Sequence, residues 1–422
     1  MDGRVCFPIH NFEFTHRKYF IQKINTGIGA TRRNRRVANQ PRQGRNLCSF
    51  ISQIISKLRQ ERHIPPAARR CRSYGAGDFF ATLNYKYSAP LALGFVSMLP
   101  ELPPVSHLHH FTHPLWFERA GGFRNLDNRK YFERYLAYLL PKIAPLVSGW
   151  NVINEFNLAG GYSPANDGGP YKFNLLRYHA LGYHLIHHYS NAPVSTAHAY
   201  IHWFPRRFND PLDRTMTQYA DFITNEFFFH AIRTGELVYP GLKAERDPDV
   251  KGAMDFWSVN YYTRHMVDGR LPWLDGPRFK HKQLKLIPMD FYLEEFYPEG
   301  LIANLERLTD RPVYITENGC AATDDRFRIV YLALTLSALS EALERGVDVR
   351  GYFYWSLLDN YEWGSFIPKF GLVAVDPETF ARTPKPSADF YREVIARNGF
   401  DSALVRRFLP ELPTLAPALA AA

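Results

Sequence analysis

The sequence predicts an α/β fold with a parallel sheet, and three observations lead to this prediction. From about residue 103 onward, strand-like and helix-like segments alternate, the order that joins parallel strands through helices. The chain has 422 residues and is 46% hydrophobic, enough for a large core. Polar or acidic residues also follow the predicted strands, where catalytic residues lie in parallel barrels: His110, Asn154, Glu155, Asn260 and Glu317. This order fits an open doubly wound sheet or most of an eight-stranded barrel.

Six short segments, mostly apolar with β-branched and aromatic residues, are predicted as strands. In chain order they read PVSHL, WNVIN, APVSTAH, DFWSVNYY, PVYITE and VRGYFYW, at residues 104–108, 150–154, 192–198, 255–262, 312–317 and 349–355.

Helices are predicted between these strands. The segment 131–147 places apolar residues at helical spacing: Phe132, Tyr135, Leu136, Leu139, Leu140, Ile143 and Val147. Further helices are predicted over 211–232 and 298–308. Asp324 and Asp325 are candidate caps of a helix that ends before Gly346, and a closing helix begins at Pro386 and ends at Gly399.

The positive charge lies at one end of the chain. Residues 1–104 hold 17 Lys and Arg against 5 Asp and Glu, and the rest of the chain holds 34 against 36. We therefore predict a basic, irregular segment over 1–75, an α/β domain over 76–407 and a low-complexity tail over 408–422. The arginines at 32–36 leave nucleic-acid binding open, but no aromatic residue interleaves them as base stacking would require. A disordered or spurious segment is favoured, and no nucleic-acid partner is expected.

Several classes of site are not expected. No GxGxxG or GxxxxGK[ST] motif follows a strand, so no nucleotide cofactor is predicted. The four cysteines (Cys6, Cys48, Cys71 and Cys320) show no CxxC spacing and indicate reduced thiols. The histidines of HLHH (107–110) alternate across one strand, so we expect no metal. No apolar run reaches the roughly 18 residues of a membrane helix, and no secretory signal is evident, so we expect a cytoplasmic protein.

Two glutamates occupy similar positions. Glu317 ends the strand of VYITENG, and Glu155 follows Asn154 in WNVINEFN. Cleavage of a glycosidic bond requires two carboxyl groups, a neutral acid at the leaving oxygen and an anion at the anomeric carbon. If the fold brings these two residues face to face, the sequence supplies both.

Five motifs resemble glycoside hydrolase family 1, the β-glucosidase and β-glycosidase family. NEF corresponds to the N-E-P motif of the family, and ITENG to its nucleophile motif. HHFTHPLWF, DFWSVNYY and WSLLDNYEWGSFIPKFG correspond to three further motifs in the family's order, so the resemblance covers roughly residues 103–407. It implies a (β/α)8 TIM barrel and a retaining β-glycosidase that needs no metal or cofactor. The expected partner is a small β-glycoside or oligosaccharide, and the sequence leaves the oligomeric state open.

The resemblance also implies roles for individual residues. Glu155 matches the acid/base and Glu317 the nucleophile, Asn154 would bind the sugar 2-hydroxyl, and Tyr262 would hold the nucleophile. Asn260 would position the side of the site that carries the acid. The sugar pocket would comprise His110, Trp355, Glu362, Trp363 and Phe370. Because the chain keeps Glu362, which the phospho-sugar branch of the family tends to replace, an unphosphorylated sugar is expected. Phe156 replaces the family's proline beside the acid.

Two family motifs are missing. The family's first strand carries a sugar-binding glutamine, and its second carries an arginine that pairs with the nucleophile. No arginine lies between Arg72 and Arg119. Either residues 79–85 and 91–99 form irregular first and second strands, or the N-terminal quarter is not a genuine translation. Loss of a positioned charge can cost about 10²–10³ in rate, so a catalytically impaired relative, binding glycans or defective, is the alternative.

Overall fold

The computed structural model describes residues 105–158, 168–270, 296–362 and 365–411. The predicted basic segment 1–75, the candidate strands 79–85 and 91–99, and residues 412–422 of the predicted tail lie outside these ranges. So does Trp363 of the predicted sugar pocket.

The strands of the described ranges fall into five groups by pairing. They are β1 (Val105–His109), β2 (Gly149–Ile153), β3 (Val194–Ser195), β4 (Ala197–Ala199), β5 (His202–Pro205), β6 (Glu236–Leu237), β7 (Glu245–Arg246), β8 (Trp257–Asn260), β9 (Arg264–Val267), β10 (Val313–Asn318), β11 (Val349–Tyr354), β12 (Val373–Val375) and β13 (Arg382–Pro384).

Two of these groups form a continuous parallel arc. One sheet has the order β1-β2-β3 and the other β11-β10-β8-β4, and β3 and β4 are separated only by Thr196. At this break the Thr196 hydroxyl accepts from the Ile153 amide at 2.9 Å and donates to the Ile153 carbonyl at 3.0 Å. The side chain thus replaces the ladder bonds to β2. The six predicted strands therefore lie side by side, with β1 and β11 as the edges among the described residues.

The helices pack around this arc. They are α1 (Leu115–Arg119), α2 (Arg129–Ile143), α3 (Gly168–Tyr189), α4 (Pro211–Asp221), α5 (Phe227–Thr234), α6 (Pro298–Leu305), α7 (Asp325–Glu344), α8 (Pro386–Arg397) and α9 (Ser402–Phe408). The predicted helix over 131–147 is α2, followed by a 3-10 turn at Ala144–Leu146. The predicted helix over 211–232 is α4 and α5, joined by a π-helical segment at Phe222–Glu226.

The predicted ends of α7 are confirmed. The Asp324 carboxylate caps α7 by accepting from the Arg326 amide at 3.0 Å, and the chain leaves this helix through Gly346 at φ +92°. α8 begins at Pro386 as predicted but ends at Arg397, two residues before the predicted Gly399, because Asn398 adopts a left-handed conformation with φ +48°.

Neither α3 nor the parallel pair β5–β9 was predicted from the sequence. α3 is buried on several sides, so its apolar residues form no single stripe. Gly182 places this helix directly against β2, because a Cβ at this position would approach Val152 Cγ1 to 2.4 Å. The helix that backs the Glu155 strand therefore depends on a glycine.

Three further observations concern only the described residues. No helix there is long and apolar enough to cross a membrane. No cluster of three or more His, Cys, Asp or Glu side chains within these ranges is placed to hold a metal ion. Cys320 is buried and forms no disulfide within these ranges.

Candidate active site

The predicted site residues lie at the carboxyl ends of the parallel strands. His110 follows β1, Asn154 and Glu155 follow β2, and Asn260 ends β8. Glu317 is the penultimate residue of strand β10 and pairs with Asn260 on the neighbouring strand β8. The two glutamates are distant in sequence, but strands β2 and β10 point them to the same end of the arc.

Asn260 connects the two glutamates. Its Nδ2 donates to Glu155 Oε1 at 3.1 Å and to Asn154 Oδ1 at 3.2 Å, and Asn260 itself pairs with Glu317 across strands β8 and β10. The two glutamates therefore flank the same asparagine, and the charge of Glu155 acts directly on Glu317. The carboxyl groups thus lie close enough to act on a single bond of a bound molecule.

Two hydroxyls fix the orientation of the Asn260 amide. Thr316 Oγ1 donates to Asn260 Oδ1 at 2.7 Å and lies 2.8 Å from Ser258 Oγ. Neither hydroxyl residue was predicted from the sequence. The available signal was a polar side chain within an otherwise apolar strand. Ser258 lies two positions before Asn260, on the same face of β8, and Thr316 directly precedes Glu317.

Tyr262 holds the second glutamate. Its hydroxyl donates to Glu317 Oε2 at 2.8 Å, and its ring packs edge-on against Phe370 at 6.3 Å between centroids. Phe370 is itself buried, with 2% of its surface exposed. Among the described residues, Phe370 therefore packs against Tyr262, and its contact with a bound sugar stays a prediction.

A second group of predicted residues lies beside the glutamates. The His110 ring stacks on Trp355 at 6.0 Å, and His110 Nε2 is 3.3 Å from Asn154 Nδ2. Burial lowers the pKa of His110 to about 4, so the ring is neutral and accepts this hydrogen bond. The Trp355 indole donates to Glu362 Oε1 at 2.9 Å. Because Glu362 acts electrostatically on both Glu155 and Glu317, the two groups form one site.

The carboxyl groups of this site are all harder to ionise than usual. Burial, together with the negative charge of Glu155, raises the pKa of Glu317 well above its ordinary range, and the hydrogen bond from Tyr262 opposes this. Burial raises the pKa of Glu155 to about 7, against the donation from Asn260. No lysine or arginine of the described ranges contributes to either shift. The anion on Glu317 therefore depends on neutral donors, Tyr262 and Asn260.

The backbone at the first glutamate is strained. Glu155 has φ +46°, a conformation that costs a non-glycine residue free energy and often occurs at functional sites. The next residue, Phe156, is buried and packs on Phe228 at 4.3 Å between ring centroids. A proline at 156 would restrict the backbone of residue 155 toward extended conformations. The substitution at Phe156 is thus accommodated by packing and permits the left-handed conformation of Glu155.

Paired glutamates at the carboxyl ends of parallel strands, with a tryptophan and amide groups beside them, define a barrel-type glycoside hydrolase site. Comparison with known proteins agrees with this class. Residues 100–400 match the family model for glycosyl hydrolase family 1. The chain is 33% identical over 349 residues to a β-galactosidase of Sulfolobus acidocaldarius, covering 74% of this chain and 70% of the relative. It is 32% identical to a thermostable β-glucosidase B of Thermobispora bispora, covering 71% of this chain and 69% of the relative.

Solved structures give the same result. The β-glycosidase from Pyrococcus horikoshii superposes with a TM-score of 0.65 at 35% identity, covering 75% of this chain and 76% of that chain. The chain belongs to glycosyl hydrolase family 1 and is a β-glycosidase of (β/α)8 TIM-barrel type. Cleavage with retention of configuration is general in this family.

Replacing Tyr262 by phenylalanine is expected to lower kcat for an aryl β-glycoside by about 10- to 10²-fold with little change in KM. The change removes the hydroxyl donor to Glu317, and removal of one such donor typically costs up to about 10²–10³ in rate. Steady-state kinetics measure the effect. Tyr261→Phe is the matched control, because this neighbouring hydroxyl donates to the Tyr297 carbonyl instead. Equal kcat values for Tyr262→Phe and Tyr261→Phe would contradict the role of the Tyr262 hydroxyl as the donor to Glu317.

Proposed function

We propose that this β-glycosidase hydrolyses terminal, unphosphorylated β-D-glycosides of the glucoside type, with Glu317 as nucleophile and Glu155 as general acid and base. The observation that supports this most strongly is that Asn260 donates to Glu155 and pairs with Glu317 on the neighbouring strand, while the charge of Glu155 acts on Glu317. Two interacting carboxyl groups beside one side chain are what this reaction requires. Cleavage through a covalent glycosyl–enzyme intermediate requires such a pair about 5–5.5 Å apart.

In the first step, the Glu317 carboxylate attacks the anomeric carbon and forms an ester bond to the sugar. The bond from this carbon to the leaving oxygen breaks, and Glu155 transfers its proton to that oxygen. In the second step, Glu155 removes a proton from water, the water oxygen attacks the anomeric carbon, and Glu317 leaves as a carboxylate. The two inversions return the sugar in its original configuration.

The neighbouring residues take the roles that their chemistry suits. Asn154 would hydrogen-bond the sugar 2-hydroxyl, an interaction that tightens in the transition state. Trp355 would stack on the sugar ring with the face that His110 leaves uncovered. Glu362 would accept hydrogen bonds from two sugar hydroxyls. Trp363 and Phe370 remain proposed members of this pocket.

The charge of the site supports an unphosphorylated sugar. Glu155, Glu317 and Glu362 are all buried, and the pKa of each is raised chiefly by burial. No lysine or arginine of the described ranges contributes to the pKa shift of any of the three. A phosphate dianion near Glu362 would add like-charge repulsion of several kcal/mol at the effective dielectric constant of a protein interior.

We expect the wild-type enzyme to hydrolyse 4-nitrophenyl β-D-glucoside with a kcat/KM at least about 10²-fold above that for its 6-phosphate. Glu362→Gln should lower the ratio of these two kcat/KM values, because it removes the negative charge that repels the phosphate. The exposed Glu378→Gln is the matched control and should leave the ratio unchanged. Nitrophenol release measures both rates.

The same assay tests the competing function. Binding of glucose without turnover of either substrate would indicate a catalytically impaired relative and overturn the proposed hydrolysis. Faster cleavage of the 6-phosphate would overturn the proposed substrate class while leaving the chemistry intact.

A further inference from the structure

Lys172 is a fully buried lysine that the catalytic mechanism does not use. It lies on α3 with none of its surface exposed. Its ammonium donates to two backbone carbonyls, Asn157 O at 2.8 Å and Ile223 O at 3.4 Å. Burial lowers the pKa of Lys172 to about 7, and no carboxylate contributes to this shift. A buried ammonium without a paired anion is costly in free energy, so its retention here requires an explanation.

The contact of Lys172 with Asn157 places it under the Glu155 turn. Asn157 is two residues after Glu155, in the 3-10 turn Phe156–Leu158. The Leu158 amide of this turn donates to the Glu155 carbonyl at 3.0 Å. The left-handed backbone at Glu155 therefore continues directly into the turn that Lys172 holds.

Asn157 fixes the other side of the same turn. Its side chain pairs with both backbone groups of Ala199 at the end of β4, donating to the carbonyl at 2.8 Å and accepting from the amide at 2.9 Å. It also donates to the Thr224 carbonyl at 3.1 Å. The turn is thus attached to the carboxyl end of β4, at the same edge of the sheet as the site.

The π-helical segment Phe222–Glu226 supplies the remaining acceptors. Widening of a helix to this geometry disturbs the regular carbonyl pairing, and such segments occur often at functional sites. Here the Ile223 carbonyl accepts from Lys172, and the Thr224 carbonyl accepts from Asn157. Two successive carbonyls of the segment therefore point at the two groups that hold the Glu155 turn.

We propose that Lys172 is a positioning residue for the acid/base Glu155, acting through the Asn157 carbonyl and the π-helical segment. The inference rests on the proposed function, since it assigns Glu155 to proton transfer. A strained turn relaxes unless its surroundings fix it. Lys172 holds the turn so that the Glu155 carboxyl group stays at the leaving oxygen.

The test compares two aryl β-glucosides in the full-length enzyme. Departure of 4-nitrophenolate depends on proton donation more strongly than departure of the less basic 2,4-dinitrophenolate. Lys172→Met keeps most of the side-chain volume and removes the donor. We expect it to lower kcat/KM for the nitrophenyl glucoside about tenfold more than for the dinitrophenyl glucoside.

Two further variants separate positioning from folding. Leu176 is fully buried one turn further along α3, so Leu176→Ala should lower Tm without changing the ratio of the two rates. Asn157→Ala keeps the carbonyl that Lys172 contacts but removes the side-chain bonds that attach the turn to Ala199 and Thr224. It should change the ratio in the same direction as Lys172→Met and provides the test if Lys172→Met fails to fold.

A proportional loss on both substrates, or no loss in a folded Lys172→Met enzyme, would overturn this inference and leave the proposed function standing. A wild-type enzyme that cleaves neither glucoside would overturn the proposed function and this inference with it.

Discussion

Replacing Glu317 by alanine is expected to lower kcat for 2,4-dinitrophenyl β-D-glucoside by about 10⁴- to 10⁶-fold, the range seen when a covalent nucleophile is removed. The leaving group departs readily, so loss of activity reports the missing nucleophile and not proton donation. Glu317 is buried, accepts from Tyr262 and pairs with Asn260 on the neighbouring strand. Stopped-flow and steady-state release of dinitrophenol measure the loss.

Azide provides the matching positive result. In the space left by the Glu317 side chain, an azide ion can attack the anomeric carbon directly, which breaks the bond to dinitrophenolate in one inversion. The product is then the α-glucosyl azide, and turnover recovers in part. Glu306→Gln, an exposed glutamate paired with Arg345, is the control and should keep full activity. Undiminished turnover by Glu317→Ala, or a β-configured azide product, would contradict the nucleophile assignment.

Replacing Glu155 by glutamine is expected to remove the alkaline limb of the pH profile and to lower kcat/KM for 4-nitrophenyl β-D-glucoside by about 10²–10⁴-fold. In the wild type, activity requires a proton on Glu155 and an anion on Glu317. Because burial raises the pKa of Glu155 to about 7, activity should fall above about pH 7. Because the pKa of Glu317 is also raised, activity should fall on the acid side at a higher pH than for an ordinary glutamate.

The same substitution should stabilise the protein at alkaline pH. The pKa of Glu155 rises from 4.5 to about 7 on folding, so the folded state binds this proton more tightly than the unfolded state. The free energy of unfolding therefore decreases as pH rises through this window, by about 3 kcal/mol at 1.36 kcal/mol per unit. Glu155→Gln removes this penalty, and its oxygen can still accept from Asn260.

Denaturant unfolding at pH 4 and pH 8 measures this effect. We expect similar stabilities of wild type and Glu155→Gln at pH 4, and a more stable variant at pH 8. The exposed Glu344→Gln serves as control and should show no such difference. A variant that is no more stable than wild type at pH 8 would show that Glu155 ionises in the folded protein as easily as in the unfolded chain.

The sequence predicted the sheet well because its strands are short, apolar and bounded by polar ends. All six predicted strands form one parallel arc, and the Asp324 cap and the start of α8 at Pro386 lie where predicted. α3 was missed because burial on several sides removes the amphipathic stripe that identifies a helix. The Thr196 break could not be predicted, since a side chain that replaces ladder bonds depends on the neighbouring strand.

The site was predicted mainly through motifs, and its supporting groups were not. Strand periodicity places a residue on a face but does not say which hydroxyl reaches across to the next strand, as Thr316 does to Asn260. The contact of Lys172 with the Glu155 turn depends on a helix that was not predicted. Among the described residues, hydrogen bonds from neutral side chains oppose the rise of the pKa of Glu317, and the missing arginine stays a prediction.

Mass spectrometry of the enzyme after incubation with 2,4-dinitrophenyl 2-deoxy-2-fluoro-β-D-glucoside tests the central claim most directly. The fluorine slows both steps, and the activated leaving group lets the first proceed, so the covalent intermediate accumulates. We predict one fluoroglucosyl group per chain, attached to Glu317 in the proteolytic peptide that contains ITENG. Attachment at Glu155, or release of dinitrophenol without any covalent adduct, would contradict the account.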